Sequence, residues 1–294
     1  MTGTARMRTA SLVLLLANVV YATAPVATRV ALDAVPPAML AFARLAVAGL
    51  VLLPVVRRER VPTGQGWRTF WMGVIGFSAA FVLTNWGIAR SSATNAALLI
   101  IVEPVTLLAL GPALLGERLT RREVAGAAVA LLGATVVVAD GIPGLTLSLL
   151  PRWRGDVLLA LSGVAYAAYS LIGRPILTPG NATALTARSV VWGAVGMAPL
   201  VALEWAGGAR PTASVPGIAG ALYLAIVITA WGYVAWNWAL ARVAASRAAA
   251  FLTLQPAVGA LLGSAFLGEP LSVFTVVGAA LVVAGLWMSA AATP

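Results

Sequence analysis

The sequence predicts an all-α polytopic membrane protein of ten transmembrane helices, arranged as two inverted five-helix repeats. Three observations carry this reading. Of 294 residues, 61% are hydrophobic and only 10% charged, with a mean hydropathy of +0.96, whereas soluble domains carry about a quarter charged residues. Predominantly apolar stretches of about 20 residues, long enough to cross about 30 Å of hydrocarbon, recur ten times. Short polar phrases also recur: "LGERLT" at Leu115–Thr120 returns 152 positions later as "LGEPLS" at Leu267–Ser272.

Taken in order, the first span (9–32) follows Arg6 and Arg8 and contains "ATA" at Ala22–Ala24, which imitates a signal-peptide cleavage site. The run is too long for a signal peptide and Pro25 directly after that site disfavours cleavage, so the span is expected to be retained. The second span (36–56) carries Arg44 well inside it, and the third (67–88) ends in "NWGIAR" at Asn85–Arg90. The fourth (93–115) holds Glu103 and Pro104 about midway along. Glu117 stands at the following turn, where a hairpin lock is its expected role. Thr120 with Glu123 then forms a capping box opening the fifth span (121–139), whose small residues Gly126, Ala130 and Gly133 let another helix approach closely.

The Pro/Gly-rich stretch from Asp140 to Asp156 connects the halves. Beyond it lie the sixth span (155–177) with Tyr166 and Tyr169, the seventh (182–204), and the eighth (215–240) with "WGYVAWNW". The ninth (245–267) carries Gln255, Pro256 and "GALLG" at Gly259–Gly263. The tenth (271–291) follows Glu269, a second turn lock, and opens at Ser272, a second cap. The predicted organisation is a first repeat over 1–139, a connecting loop over 140–154 and a second repeat over 155–294.

A shift of 152 lays Asn85–Gly133 on Asn237–Gly285 without a gap: "NWGIAR" meets "NWALAR", "NAALLIIVEP" meets "RAAAFLTLQP", and "AGAAVALLG" meets "VGAALVVAG". A shift of 145 sets Tyr21 on Tyr166 and Arg29 on Arg174. Five spans per half is an odd number, so the second half must lie upside down relative to the first. Arginine placement agrees. The amino terminus and every second loop hold twelve (Arg6, Arg8, Arg57, Arg58, Arg60, Arg68, Arg118, Arg121, Arg122, Arg174, Arg242, Arg247), the alternate loops four (Arg90, Arg152, Arg154, Arg210). Basic residues mark cytoplasmic loops, which places both termini in the cytoplasm. It also explains why "RLTRRE" in the first copy becomes "PLSVFT" in the second, where the same turn faces outward.

Several function classes are excluded. The chain has no Cys, no His and no Lys, so disulfide, thiolate and imidazole chemistry are unavailable. It has no Gly-rich phosphate loop, no cluster of metal ligands and no Ser nucleophile with a base, so no enzyme, metal or cofactor is expected. The net charge of +10 is spread among loops and forms no basic tract, so nucleic acid is not an expected partner. The bilayer and a small molecule are. Small-residue segments pack within one chain as readily as between chains, so a monomer is possible.

Candidate binding residues are those whose polarity is costly in hydrocarbon. A carboxylate at the depth of Glu103 costs about 2.5–3.5 kcal/mol on insertion scales. It reads either as a binding or protonatable group facing a central cavity or as a carboxylate neutralised by Arg44. Gln255 is its counterpart by the 152 shift, and Pro104 and Pro256 beside them are expected kinks that free backbone carbonyls. Asn85 and Asn237, each followed by Trp, stand near the ends of the third and eighth spans, where interfacial anchoring by the Trp is the competing reading. Tyr21 with Pro25, Tyr166 with Tyr169, and Trp236 supply rings and hydroxyls suited to a planar or aromatic substrate.

Ten spans, a five-plus-five inverted repeat and the doubled "P…LGE.L" segment resemble the drug/metabolite transporter superfamily, specifically its EamA-type permeases. Within it, "NVVYATAPVATR" at Asn18–Arg29 and the other aromatic residues look most like the bacterial aromatic-amino-acid exporters. The resemblance implies an inner-membrane exporter of amino acids and related metabolites working by alternating access. Its central cavity would be formed by both halves, with the fifth and tenth spans peripheral. It supports Tyr21, Pro25, Glu103, Pro104, Tyr166, Gln255 and Pro256 as site positions. The acidic position is not symmetric, since Gln255 stands opposite Glu103. A carrier of sugars or nucleotide-sugars, a facilitator and a non-transporting membrane scaffold are the alternatives.

Overall fold

The computed structural model describes residues 3–58, 64–116, 120–140, 152–178, 180–240 and 254–290. Among these, the regular structure is entirely helical, with no strand. Hydrocarbon offers no water to backbone N–H and C=O groups, so each apolar run closes its hydrogen bonds within itself. In chain order the apolar helices are α1 (Leu12–Leu32), α2 (Pro37–Val51), α3 (Gly66–Arg90), α4 (Ala93–Leu114), α5 (Arg121–Ala139), α6 (Trp153–Gly173), α7 (Ala182–Ala206), α8 (Val215–Trp236), α9 (Gln255–Leu267) and α10 (Val273–Met288). Seven of them are long and apolar enough to cross a membrane, while α2, α9 and α10 are shorter. Glu117, Arg118, Arg242, Arg247 and most of the connecting loop lie outside the described residues. Large apolar side chains face outward, among them Val215 at 82% and Phe266 at 75% exposure, as suits a surface solvated by lipid rather than water.

Four helices are irregular, and the sequence accounts for two of the breaks. In α1 the helix turns at Thr23 and restarts as Ala24–Leu32 with Pro25 in its first turn. In α4 it breaks at Ile100 and Ile101 and restarts as Val102–Leu115. Proline lacks an N–H and its ring clashes with the carbonyl four residues back, here Ile100. The chain yields at that residue and Pro104 falls in the first turn of the new segment, where its missing N–H costs nothing. The Ile100 carbonyl instead accepts from Glu103 N at 3.1 Å. Helix α3 passes through a π-helical segment at Val74–Ala79 and α8 through one at Leu224–Gly232. A shift of 152 carries 74–79 onto 226–231, inside the second segment.

The helix ends follow the sequence closely. Glu123 N donates to Thr120 Oγ1 at 3.2 Å while Thr120 N donates to Glu123 Oε2 at 2.7 Å, which completes the expected capping box. Thr275 N donates to Ser272 Oγ at 3.0 Å, so Ser272 caps α10 as expected. The doubled "LG" ends α4 and α9 alike: Gly116 and Gly268 adopt φ of 69° and 65°, the left-handed turn that favours a residue without Cβ.

The two sequence halves interleave. Helix α5 packs chiefly on α10, α2 on α7, α3 on α6 and α1 on α8, while α4 packs on both α6 and α9. The α5–α10 crossing is backbone to backbone. A Cβ on Gly285 would lie 2.5 Å from both Ala130 N and Gly126 O, and one on Gly133 2.7 Å from Gly278 O. The small residues singled out in the fifth span therefore do pack. Gly285→Leu is expected to force these helices apart and destabilise the protein by about 1–3 kcal/mol, read as a lower Tm in detergent. An unchanged Tm would mean that the crossing is not tight.

Candidate functional site

An aromatic cluster forms where α1, α3, α6 and α8 converge. The Tyr21 ring stands 5.8 Å from Tyr233 and 6.4 Å from Trp236, both edge-on. Phe77 lies 5.0 Å from Tyr169 and from Tyr233, and Phe81 lies 6.0 Å from Tyr166. Tilted and edge-on pairs place the positive rim of one ring against the negative face of the next. The arrangement is built twice. Adding 145 to Tyr21 gives Tyr166, adding 152 to Phe81 gives Tyr233, and adding 152 to Thr84 gives Trp236. Thus the contact of Tyr166 with Phe81 and Thr84 repeats that of Tyr21 with Tyr233 and Trp236.

Glycine in α3 and α6 makes room for these groups. A Cβ on Gly76, within the π-helical segment, would lie 2.3 Å from Tyr169 Cβ. One on Gly163 would lie 2.9 Å from Val102 Cβ and 3.0 Å from Glu103 N. Gly163 thus lets the restarted half of α4 sit against α6 at the residue carrying the carboxylate.

Glu103 occupies the first turn of that restarted half-helix, whose dipole favours negative charge there. It is half-buried, and its carboxylate makes no hydrogen bond or ion pair among the described residues. The pairing with Arg44 weighed from the sequence is not formed. Arg44, 6% exposed, donates from Nε to Thr229 Oγ1 at 2.5 Å and sets its guanidinium 3.9 Å over the Phe81 ring. Three tyrosines, Tyr21, Tyr166 and Tyr233, lie within electrostatic reach of both Arg44 and Glu103. The acid and the base thus share aromatic neighbours without pairing with each other. The Tyr21 hydroxyl is buried with no hydrogen-bond partner among the described residues.

The other sequence candidates divide. Tyr21, Tyr166, Tyr169 and Trp236 join the cluster, and Pro25 and Pro104 sit at the two helix breaks. Gln255 does not meet Glu103: its Nε2 donates to Asn18 Oδ1 at 2.6 Å, with buried Pro256 beside it. Asn85 is 2% exposed and donates to Pro37 O at 2.9 Å, tying α3 to the start of α2. The side chain of Asn237 lies outside the described residues. Trp231 is 63% exposed on the outer surface. Phe77, Phe81, Tyr233, Asn18 and Arg44 are members that the sequence reading left out of the site. Continuing the 152 shift along α3 and α8 would have found Phe81 and Tyr233 together.

Carboxylates tie the halves together at one end of the bundle. Glu204 of α7 accepts from Ala38 N at 2.9 Å and Met39 N at 3.1 Å. Glu269 accepts from Ala93 N at 2.8 Å and Thr94 N at 2.7 Å. Asp156, fully buried, accepts from Ser91 and, at 3.0 Å, from Asn95. The expected hairpin lock at Glu269 therefore reaches beyond its own hairpin to the start of α4.

Polar and aromatic side chains gathered at broken helices inside an apolar all-helical bundle suit a multi-pass membrane transporter. The chain belongs to the EamA-like transporter family, which matches residues 8–139 and again 153–291. It is 35% identical over 285 residues to a probable terminal-alkyne amino-acid exporter of Streptantibioticus cattleyicolor, covering 94% of this chain and 91% of the relative. It is 29% identical over 287 residues to a probable amino-acid metabolite efflux pump of Salmonella typhimurium, covering 94% and 92%. One crystal structure superposes with a TM-score of 0.66 over 96% of this chain and 97% of its own, at 19% identity, a likeness of fold alone.

Proposed function

We propose that the protein exports amino acids, aromatic or large apolar ones above all, and related small metabolites across a bacterial inner membrane. The carrying observation is the cluster in which Tyr21, Tyr166 and Tyr233, with Trp236 against Tyr21, lie within reach of both an unpaired carboxylate and a buried guanidinium. Rings of that size can enclose an apolar side chain, and two opposite charges suit a zwitterion better than a sugar. The exporter names of two relatives point the same way.

In this reading ten spans form two inverted five-helix repeats with both termini cytoplasmic, and transport proceeds by rocking of the halves about the cluster. Three features support the inverted repeat. Both halves place a π-helical segment at the same register, both end a helix at a left-handed "LG", and the helix pairings map onto themselves when the halves are exchanged. Exchange turns α1–α8 into α6–α3 and leaves α2–α7, α4–α9 and α5–α10 as they are. The carboxylate ties at the starts of α2 and α4 then fall on the external side, where they would hold the bundle closed. Substrate is bound by Tyr21, Tyr166, Tyr169, Trp236 and Glu103, with Pro25, Asn85, Asn237 and Gln255 shaping the walls. Pro104 and Pro256 set the kinks.

The test is efflux from liposomes loaded with radiolabelled phenylalanine, beside leucine, a sugar and protein-free vesicles. Phenylalanine and leucine are expected to leave faster than the sugar and faster than from protein-free vesicles. Equal or greater sugar efflux would move the chain to another solute class, and no efflux of any solute would favour the scaffold reading.

A further inference from the structure

We infer that Arg44 is the carboxylate anchor of the site, so that a free carboxylate next to the apolar group is what the transporter recognises first. This rests on the proposed amino-acid reading.

Arg44 lies inside the bundle on α2 and is more than nine-tenths buried, yet no acid pairs with it among the described residues. An arginine in such a place needs a partner, because its charge has left water. Among the described residues only one of its donors is used. Nε is held by Thr229 Oγ1, itself fixed by donating to Leu224 O at 2.8 Å within the π-helical segment of α8. Phe81 covers the guanidinium plane from a ring centroid 3.9 Å away. Thr229 and Phe81 thus clamp the base of the group and leave its outer edge, Nη1 and Nη2, without a hydrogen bond among the described residues.

A planar fork of two N–H donors matches both oxygens of a carboxylate, a pairing that a lysine ammonium cannot reproduce. The three tyrosines within reach of Arg44 provide a wall for the apolar side chain. Glu103, within reach of the same tyrosines, is left for the ammonium. The sequence offered Arg44 as a counter-ion to Glu103. In the structure they form no ion pair among the described residues and both lie within reach of the same tyrosines, as in a site awaiting a molecule that carries both opposite charges.

The test is competition for tritiated phenylalanine bound to the purified protein in detergent, where passive leakage of analogues does not interfere. Unlabelled phenylalanine and 3-phenylpropionate, which keeps the carboxylate and lacks the amine, are expected to displace the label. Phenylalaninamide, uncharged at the same position, is expected to need at least thirtyfold more. Arg44→Gln is expected to weaken phenylalanine at least thirtyfold while leaving phenylalaninamide unchanged, and Arg44→Lys to recover only part of the loss. A merely structural arginine would move all ligands together. Phenylalaninamide competing as well as phenylalanine in the unaltered protein would overturn the anchor and leave the amino-acid reading standing. Absence of binding by any large apolar amino acid would overturn both, and the unaltered protein decides this even if the Arg44 variants do not fold.

Discussion

Glu103→Gln is expected to cut phenylalanine efflux from liposomes by about one to two orders of magnitude while leaving the protein at least as stable. The two effects have different origins. A hydrogen bond to a charged group contributes about 1.5–3 kcal/mol, and each 1.4 kcal/mol is about tenfold in an equilibrium constant. Losing the bond from a substrate ammonium to Glu103 accounts for the transport defect. Stability moves the other way, because the carboxylate makes no ion pair or hydrogen bond among the described residues and its insertion costs about 2.5–3.5 kcal/mol. Glutamine keeps the size and removes that cost. A variant that melts no lower yet transports poorly marks a residue kept for function. If export is proton-coupled, the dependence on a proton gradient should disappear with the carboxylate. Unchanged uphill export by Glu103→Gln would remove Glu103 from the site.

Glu269→Gln is expected to loosen the end of the bundle where α4 begins. The carboxylate of Glu269 receives two backbone N–H groups, of Ala93 and Thr94, at 2.8 and 2.7 Å. These belong to the unsatisfied first turn of α4, whose dipole adds to the attraction. Glutamine offers one neutral acceptor oxygen for two donors, so the loss should be about 3 kcal/mol, or roughly a hundredfold in the equilibrium between closed and open forms of that end. The chain has no cysteine, so a single introduced thiol reports the change. Thr94 suits this purpose because it is 2% exposed and its hydroxyl is unpartnered among the described residues. Thr94→Cys should react with a membrane-impermeant maleimide at least tenfold faster when Glu269→Gln is also present. An equal labelling rate would show that Glu269 holds only its own turn. Glu204, joined to Ala38 and Met39, should behave likewise at the start of α2.

Most of the architecture was legible because the membrane imposes a simple rule. Apolar segments must be helical there, and their number and lengths can be read from hydropathy alone. Local chemistry was equally readable: the capping box at Thr120, the cap at Ser272, the break before Pro104 and the close packing of Gly126, Ala130 and Gly133 each depend on residues within a few positions. What could not be read was partner choice among the polar side chains of the interior. Glu103 and Arg44 suggested an ion pair by charge alone, and Glu103 and Gln255 suggested a matched pair by register alone.

The tertiary structure decided otherwise. Thr229 and Phe81 hold Arg44, Asn18 takes Gln255, Pro37 takes Asn85, and Glu269 crosses from one half to the other. These contacts join residues 37 to 237 positions apart in the chain, and no local pattern encodes which helix faces which. The sequence by itself determined the helices and their proline-linked breaks, because backbone hydrogen bonding and solvation by lipid act along the chain. Only the packing of the helices decided which charges would meet and which would be left without a partner, because that depends on how far apart and at what rotation the helices come to rest.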